Sequence, residues 1–173
     1  IACIALWDTK VRRRLNNMSL NPVSTIVGQI SFTCKVKPIT DKFDPQALEV
    51  TGLSMKDLTN CGLEPDKAMI AFSDWLSGLA GPDDTIVFVG FNAPFDWSFI
   101  NYYFHRFVGD NPFGFTALDI KALYMGATGC SWRDTRSSKI AARLKPNLSG
   151  THDALQDARY QAEIFRLILA MVC

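Results

Sequence analysis

The chain's 173 residues fit a single domain, usually roughly 100–200 residues, and a 48% hydrophobic content is enough for a sizeable core. A net charge of +1 argues against a broad, sequence-independent duplex-binding surface, which needs a clear basic excess, but leaves room for a short strand end held by metals and a few side chains. No apolar run reaches the ~20 residues of a membrane span, and Ile1–Trp7 lacks the basic flank and length of a signal peptide, so a soluble, cytoplasmic protein without a membrane partner is expected. The five cysteines, Cys3, Cys34, Cys61, Cys130 and Cys173, are scattered and form no C-x-x-C pair; they are expected to be reduced and mostly buried. With two histidines in all, a thiolate–imidazole zinc site has little support.

In chain order, Ile1–Trp7 is a short apolar run of β-compatible residues, and Gln29–Val36 alternates Ile30, Phe32, Cys34 and Val36 on one side, the period of a half-buried strand. Between them Asp8–Gly28, with Lys10, Arg12, Arg13 and Arg14, reads as a long mobile connection whose basic cluster is either a solvated loop or a phosphate contact. Asp44-Pro45 supplies an N-cap followed by proline in the first helical turn, and Gly52 supplies a stop. Ser54-Met55-Lys56-Asp57 starts a second short helix in the manner of a capping box. From Pro65, the residues Ala68, Phe72, Trp75, Leu76 and Leu79 recur at helical spacing until Gly81-Pro82, which predicts an amphipathic helix.

Thr85–Gly90 carries the apolar run Ile86-Val87-Phe88-Val89, suited to a strand covered on both faces. A helix is predicted from Pro94 to about Phe107, a strand near Phe115–Leu118, and a short helix capped by Asp119 and running through Leu123. Ser137–Leu144 predicts another short helix and Asp153–Met171 a long closing one. No repeat, low-complexity tract or linker interrupts this order. Strands first adjacent and then alternating with helices predict an α/β fold, a mixed sheet flanked by helices, in one domain spanning residues 1–173.

The chemistry-bearing residues lie at two predicted helix mouths. In His152-Asp153-Ala154-Leu155-Gln156-Asp157, Asp153 with Gln156 three residues on is a capping-box-like start, which makes His152 the N′ and Asp157 the N4 residue. Those positions meet in a hydrophobic staple, so an imidazole and a carboxylate come to one helix mouth, where partial positive charge also favours an anion. Read alone, the pattern equally fits a surface cap with an incidental histidine. Asp96 follows the predicted buried strand across the Asn92-Ala93-Pro94 turn, where open α/β sheets place ligand-binding groups. Asn92 reads first as a helix cap and second as a substrate contact.

Two helix-mouth carboxylates and a base suit divalent-metal chemistry: hard oxygens hold Mg²⁺ or Mn²⁺, and histidine exchanges protons around neutral pH. The aromatic cluster Phe91, Phe95, Trp97, Phe99, Tyr102, Tyr103, Phe104 and Phe107 reads mostly as core, but Phe95 and Trp97 adjoin Asp96 and are candidates for stacking on bases of a substrate strand. Arg133, Arg136 and Lys139 read either as phosphate contacts or as solvated loop charges.

At these residues the chain resembles the DEDDh family of 3′-to-5′ exonucleases, within the ribonuclease H-like superfamily. Phe91-Asn92-Ala93-Pro94-Phe95-Asp96 is similar to that family's second motif, and His152 through Asp157 to its third, with the four-residue gap of the histidine subclass. Val36-Lys37-Pro38, Leu48-Glu49-Val50-Thr51-Gly52-Leu53-Ser54 and Ala117-Leu118-Asp119-Ile120-Lys121-Ala122-Leu123 resemble its connecting segments, so the likeness runs from about Ile1 to Phe165. The resemblance implies a ribonuclease H-like sheet, Asp96 and Asp157 as ligands to two metals, and His152 as the activator of the attacking water. It also implies a first strand bearing an Asp-x-Glu pair, of which this sequence holds none near its start: at Asp8-Thr9-Lys10, a cation replaces the second acid. Ile1–Asp8 is therefore expected to be the family's second strand. The first, central in the family sheet, is expected upstream of the chain shown, since its loss would strand buried backbone groups at a cost on the order of 1–3 kcal/mol each.

The leading expectation is a two-metal 3′-to-5′ exonuclease, using two Mg²⁺ or Mn²⁺ ions, that releases nucleoside 5′-monophosphates from a single-stranded or frayed 3′ end of DNA or RNA. The main alternative is a catalytically inactive exonuclease-like domain that binds nucleic acid or another protein; a third is a phosphodiesterase specific for dinucleotides. Neither a 2′-hydroxyl reader nor a duplex-binding motif separates DNA from RNA, and association into a homo-oligomer stays open.

Overall fold

The computed structural model describes residues 2–5 and 30–172. The segment 8–28, read above as a long connection with its basic cluster, lies outside the described residues. Strand β1 (Ala2–Ala5) pairs with β2 (Ile30–Thr33), and β3 (Phe88–Gly90) pairs in parallel with β4 (Ala117–Asp119). The helices are α1 (Pro45–Thr51), α2 (Met55–Cys61), α3 (Pro65–Leu79), α4 (Ala93–Phe107), α5 (Ile120–Thr128), α6 (Ser137–Leu144) and α7 (Ala154–Val172), with a 3₁₀ turn at Trp132–Thr135. The α/β class is the predicted one, small sheets flanked by helices. No described helix is long and apolar enough to cross a membrane. The described residues divide into two compact units, one over residues 32–120 and the other over 2–5, 30–31 and 121–172.

In the first unit the local punctuation acts as the sequence predicts. The Asp44 side chain accepts from the Gln46 N–H at 2.9 Å, and Gly52 ends α1 in the left-handed region at φ +65°. Ser54 caps α2 through the Asp57 N–H at 3.4 Å. Helix α3 buries Ala68, Phe72 and Leu76 of the predicted stripe together with Pro65 and Met69, while Trp75 and Leu79 are half-buried. Phe72 stacks on Phe32 at 5.1 Å and on Phe104 of α4 at 5.6 Å, while Phe113 meets Phe72 at 6.0 Å and Phe88 at 5.4 Å. These rings form the centre of the unit, and offset or edge contacts of this kind add to the area they bury.

The strand expected near Phe115–Leu118 is β4 at Ala117–Asp119, the helix expected to end at Leu123 runs on to Thr128, and two further strands are shorter than predicted. Thr85, Ile86 and Val87 stay outside β3, and Val87 is exposed, because the parallel ladder runs only over Phe88 to Ala117, Val89 to Leu118 and Gly90 to Asp119. Pairing stops where the partner strand stops. Strand β2 likewise ends at Thr33; Val36 instead bridges to Leu63, and the Lys37 N–H donates to the Leu63 carbonyl at 2.8 Å. The mostly buried thiols are also corrected: Cys61 is exposed, at the end of a helix that buries no residue, and Cys34 and Cys130 are half-buried.

In the second unit α7 lies against β1, and α6 packs on α7 and on the 3₁₀ turn. Its buried residues are Tyr124 of α5, Thr135, Ile140 of α6, and Tyr160, Glu163, Ile164 and Ile168 of α7. The i, i+4, i+8 spacing of the last helix's Tyr160, Ile164 and Ile168 is that of one helical face. Tyr160 and Ser137 hydroxyls meet at 3.0 Å, which joins α7 to the start of α6.

The ring cluster yields a stability prediction. Phe72 is fully buried and Phe115 is 91% exposed. Phe72→Ala is expected to cost about 3–5 kcal/mol in urea unfolding, and Phe115→Ala to change stability by less than about 0.5 kcal/mol.

Candidate functional site

The first predicted motif sits where β3 runs into α4. Asn92 adopts the left-handed region at φ +63°, which asparagine tolerates better than most residues. The turn is close: a Cβ on Gly90 would stand 3.3 Å from the Ala93 Cα. The predicted cap by Asn92 is corrected, since its side chain makes no capping bond. Asp119 takes that role instead. Its Oδ2 accepts from the Ala93 N–H at 2.8 Å, and the β3–β4 register places it directly beside Gly90.

Asp96 lies in the first turn of α4, where helix N–H groups favour an anion. The residue reaches the surface, yet desolvation by atoms packed around its carboxyl raises its pKa, opposed in part by its own backbone N–H. Its two neighbours differ. Phe95 is 63% exposed with its ring edge-on to Phe99 at 5.3 Å, whereas Trp97 is half-buried against Phe88 at 5.5 Å.

The second motif opens α7. As the sequence predicts, the Asp153 side chain accepts from the Gln156 N–H at 2.9 Å. Asp157 then reaches back: its Oδ1 accepts from the Thr151 N–H at 2.8 Å and from the His152 N–H at 3.3 Å. It is thus the backbone of His152 that meets Asp157, with the residue itself exposed and in the left-handed region at φ +64°. Among the described residues Asp157 Oδ2 has no partner. Gly150 packs close by, where a Cβ would come within 3.3 Å of Asp157 Oδ1.

Sequence reasoning passed over Glu163. Only 9% exposed, this α7 carboxylate accepts at 2.9 Å from the Asn147 N–H, from the Asn147 Nδ2 and from the Leu148 N–H. Desolvation alone pushes Glu163 up, but those three donors together with the charge of Arg166 outweigh it and hold its pKa below the ordinary carboxylate range. The only signal in the sequence is an acid on the apolar face of a helix, at the i+3 position from buried Tyr160.

Of the three basic residues, Lys139 pairs with Asp134, and hydrogen bonds from Lys139 and Ser131 hold the Asp134 carboxyl below its usual range. Arg133 and Arg136 are exposed. Asp96 belongs to the first unit, His152 and Asp157 to the second. Among the described residues no three or more His, Cys, Asp or Glu side chains are grouped so as to hold a metal ion.

Comparison with known proteins decides the class. Residues 14–165 match the family described as Exonuclease (RNase_T). The chain belongs to this exonuclease family. It is also similar to the "3′-5′ DNA exonuclease Cap18" of Escherichia coli, with 60% identity over 137 residues, 79% of this chain and 73% of that protein. The ribonuclease H-like α/β reading and the expected 3′-to-5′ exonuclease activity therefore stand, and divalent-metal dependence is general to the family. The enzyme reading prevails over the noncatalytic binder.

Two measurements follow from the geometry. Asp119→Ala removes the acceptor at the mouth of α4 and is expected to cost about 0.5–2 kcal/mol in urea unfolding, with a smaller loss for Asp119→Asn. Because the Glu163 pKa is lower folded than unfolded, its contribution to stability is fully present above the unfolded glutamate pKa of about 4.3 and lost as pH falls through the folded value. The gap in urea midpoint between wild type and Glu163→Gln is therefore expected to be constant from neutral pH down to about 5 and to narrow at lower pH.

Proposed function

We propose that this exonuclease acts on DNA, removing nucleoside 5′-monophosphates one at a time from a single-stranded or frayed 3′ end, with Asp96 and Asp157 as ligands to two Mg²⁺ or Mn²⁺ ions and His152 as general base. The observation that carries this reading is the mouth of α7, where the Asp153 cap, the Asp157 carboxylate fixed through one oxygen and the exposed His152 stand within six residues of one another. DNA is preferred over RNA because the similar Escherichia coli protein bears the name of a DNA exonuclease.

The donor chemistry suits hard cations, which take carboxylate oxygens. Asp157 is held by two N–H groups on Oδ1, with Oδ2 left to bind. Asp96 has a partly desolvated carboxyl whose charged form is favoured by a neighbouring cation. When bound, divalent ions supply charge neutralisation on the phosphate and Lewis acidity toward water. His152 accepts the proton of the attacking water, and its exposed position lets it pass that proton to solvent. Asn92, Phe95 and Trp97 would contact the terminal nucleotide, Phe95 by offering an exposed ring to a base and Trp97 by the exposed part of a half-buried ring next to Asp96.

The test uses the full-length protein and a 5′-labelled single-stranded DNA oligonucleotide with an RNA of the same sequence beside it. A ladder shortening from the 3′ end in Mg²⁺ or Mn²⁺, abolished by EDTA, is expected on DNA and at least about tenfold more slowly on RNA. His152→Ala is expected to lower kcat by roughly 10²- to 10⁴-fold while leaving the urea midpoint unchanged. Turnover of His152→Ala near that of wild type would remove histidine from its role, and equal rates on the two nucleic acids would remove the DNA preference.

A further inference from the structure

The segment between α6 and α7 runs along the last helix as a strap fastened at both ends by carboxylates. It leaves α6 at Lys145, whose left-handed backbone (φ +50°) turns the chain, and it ends at Asp153, the N-cap of α7. At its start, Asn147 and Leu148 donate three hydrogen bonds to Glu163. At its end, Thr151 and His152 donate two to Asp157. Between them Gly150 lies against Asp157 and the Tyr160 ring. The order of contacts along α7, residue 163, then 160, then 157, shows that the strap runs antiparallel to the helix and delivers His152 to its mouth.

The two anchors do different work. Asp157 touches His152 itself, gathering the Thr151 and His152 N–H groups on one oxygen. Glu163 lies six residues further on, about 9 Å along the axis at 1.5 Å per residue, and fixes the other end. With its oxygens divided between residues 147 and 148, it fixes direction as well as position. An apolar residue at that helical position would fill the same space without binding those N–H groups. A carboxylate there serves the strap.

We propose that Glu163 is the positioning residue for His152, setting through the 147–152 strap where the imidazole stands at the mouth of α7. This rests on the reading of His152 as general base. A displacement on the order of 1 Å at a general base costs about 10²-fold in rate, so Glu163→Gln, which replaces one acceptor by a donor facing backbone N–H groups, is expected to lower kcat by roughly 10- to 100-fold, with KM within about threefold of wild type.

A residue that merely stabilises the fold would lower activity whether or not His152 is present. Four proteins separate the cases: wild type, Glu163→Gln, His152→Ala and the double variant, each assayed in full-length form on labelled single-stranded DNA with Mn²⁺. Glu163→Gln is expected to add less than about a twofold loss in the His152→Ala background. Equal losses in both backgrounds overturn the positioning role and leave the general base intact. Wild-type turnover by His152→Ala overturns the general base, and the positioning role with it.

Hydrogen exchange on metal-free protein supplies a readout independent of catalysis. Glu163→Gln is expected to speed exchange of the residue 148 and 151–152 amides by at least about tenfold, with no change in α6. Uniform acceleration across α6 and the strap would overturn the proposal. Should Glu163→Gln fail to fold, Asn147→Ala carries the same cycle, since it removes one of the three donations and leaves the backbone bonds in place. Additive losses in that cycle would likewise overturn it.

Discussion

Backbone N–H groups that neither helix nor sheet can reach must find an acceptor, and at both motif loops of this protein the acceptor is a carboxylate on a neighbouring element. Asp157 and Glu163 serve the strap before α7, and Asp119 serves the turn before α4. An unmade bond to a buried N–H costs on the order of 1–3 kcal/mol, a penalty that Asp119 removes at buried Ala93, whereas Asp157 and Glu163 take N–H groups of exposed loop residues and fix the path of the chain there. The same bonds favour the charged form of the carboxyl, which is why Glu163 stays ionised although the protein covers most of it. Chain path and charge state are settled by one set of contacts.

Both loops also place a non-glycine residue in the left-handed region immediately before the helix, Asn92 before α4 and His152 just before the Asp153 cap of α7. Asparagine and histidine are among the side chains that tolerate this conformation, but it persists only where the surroundings determine it. At Asn92 the determinants are the close approach of Gly90 to Ala93 and the Asp119 bond; at His152 they are the two bonds to Asp157 and the cap one residue on. The turn conformation keeps a residue with a polar side chain beside each helix start without recourse to glycine, which has no side chain to do chemistry there.

Much of this was legible in the sequence because it is local. The caps at Asp44, Ser54 and Asp153, the stop at Gly52, the full span of α6 and the buried stripe of α3 each follow from a few adjacent residues. The family resemblance rested on the same kind of signal, two short motifs in fixed order. What failed was non-local. Thr85–Val87 are as β-compatible as the residues that follow, yet β3 begins at Phe88 because β4 offers partners for only three residues. Asn92 looks like a cap in its own stretch, and only the strand pairing reveals that Asp119 is nearer to the open N–H. Glu163 is the sharpest case. A glutamate in mid-helix reads as a solvated charge, and its true partners lie fifteen and sixteen residues earlier, in a loop whose path no periodicity describes.

The two candidate metal carboxylates differ in how they are prepared for a cation. Asp157 has one oxygen committed to the strap, so a cation at the other oxygen meets a group already oriented, with little conformational freedom left to lose. Asp96 has no such clamp and carries instead a desolvated carboxyl with a raised affinity for a proton. A divalent ion beside that carboxyl would relieve the desolvation that its charged form carries. Orientation thus belongs to Asp157 at the mouth of α7 and electrostatic demand to Asp96 at the start of α4, and neither property alone makes a carboxylate a good ligand.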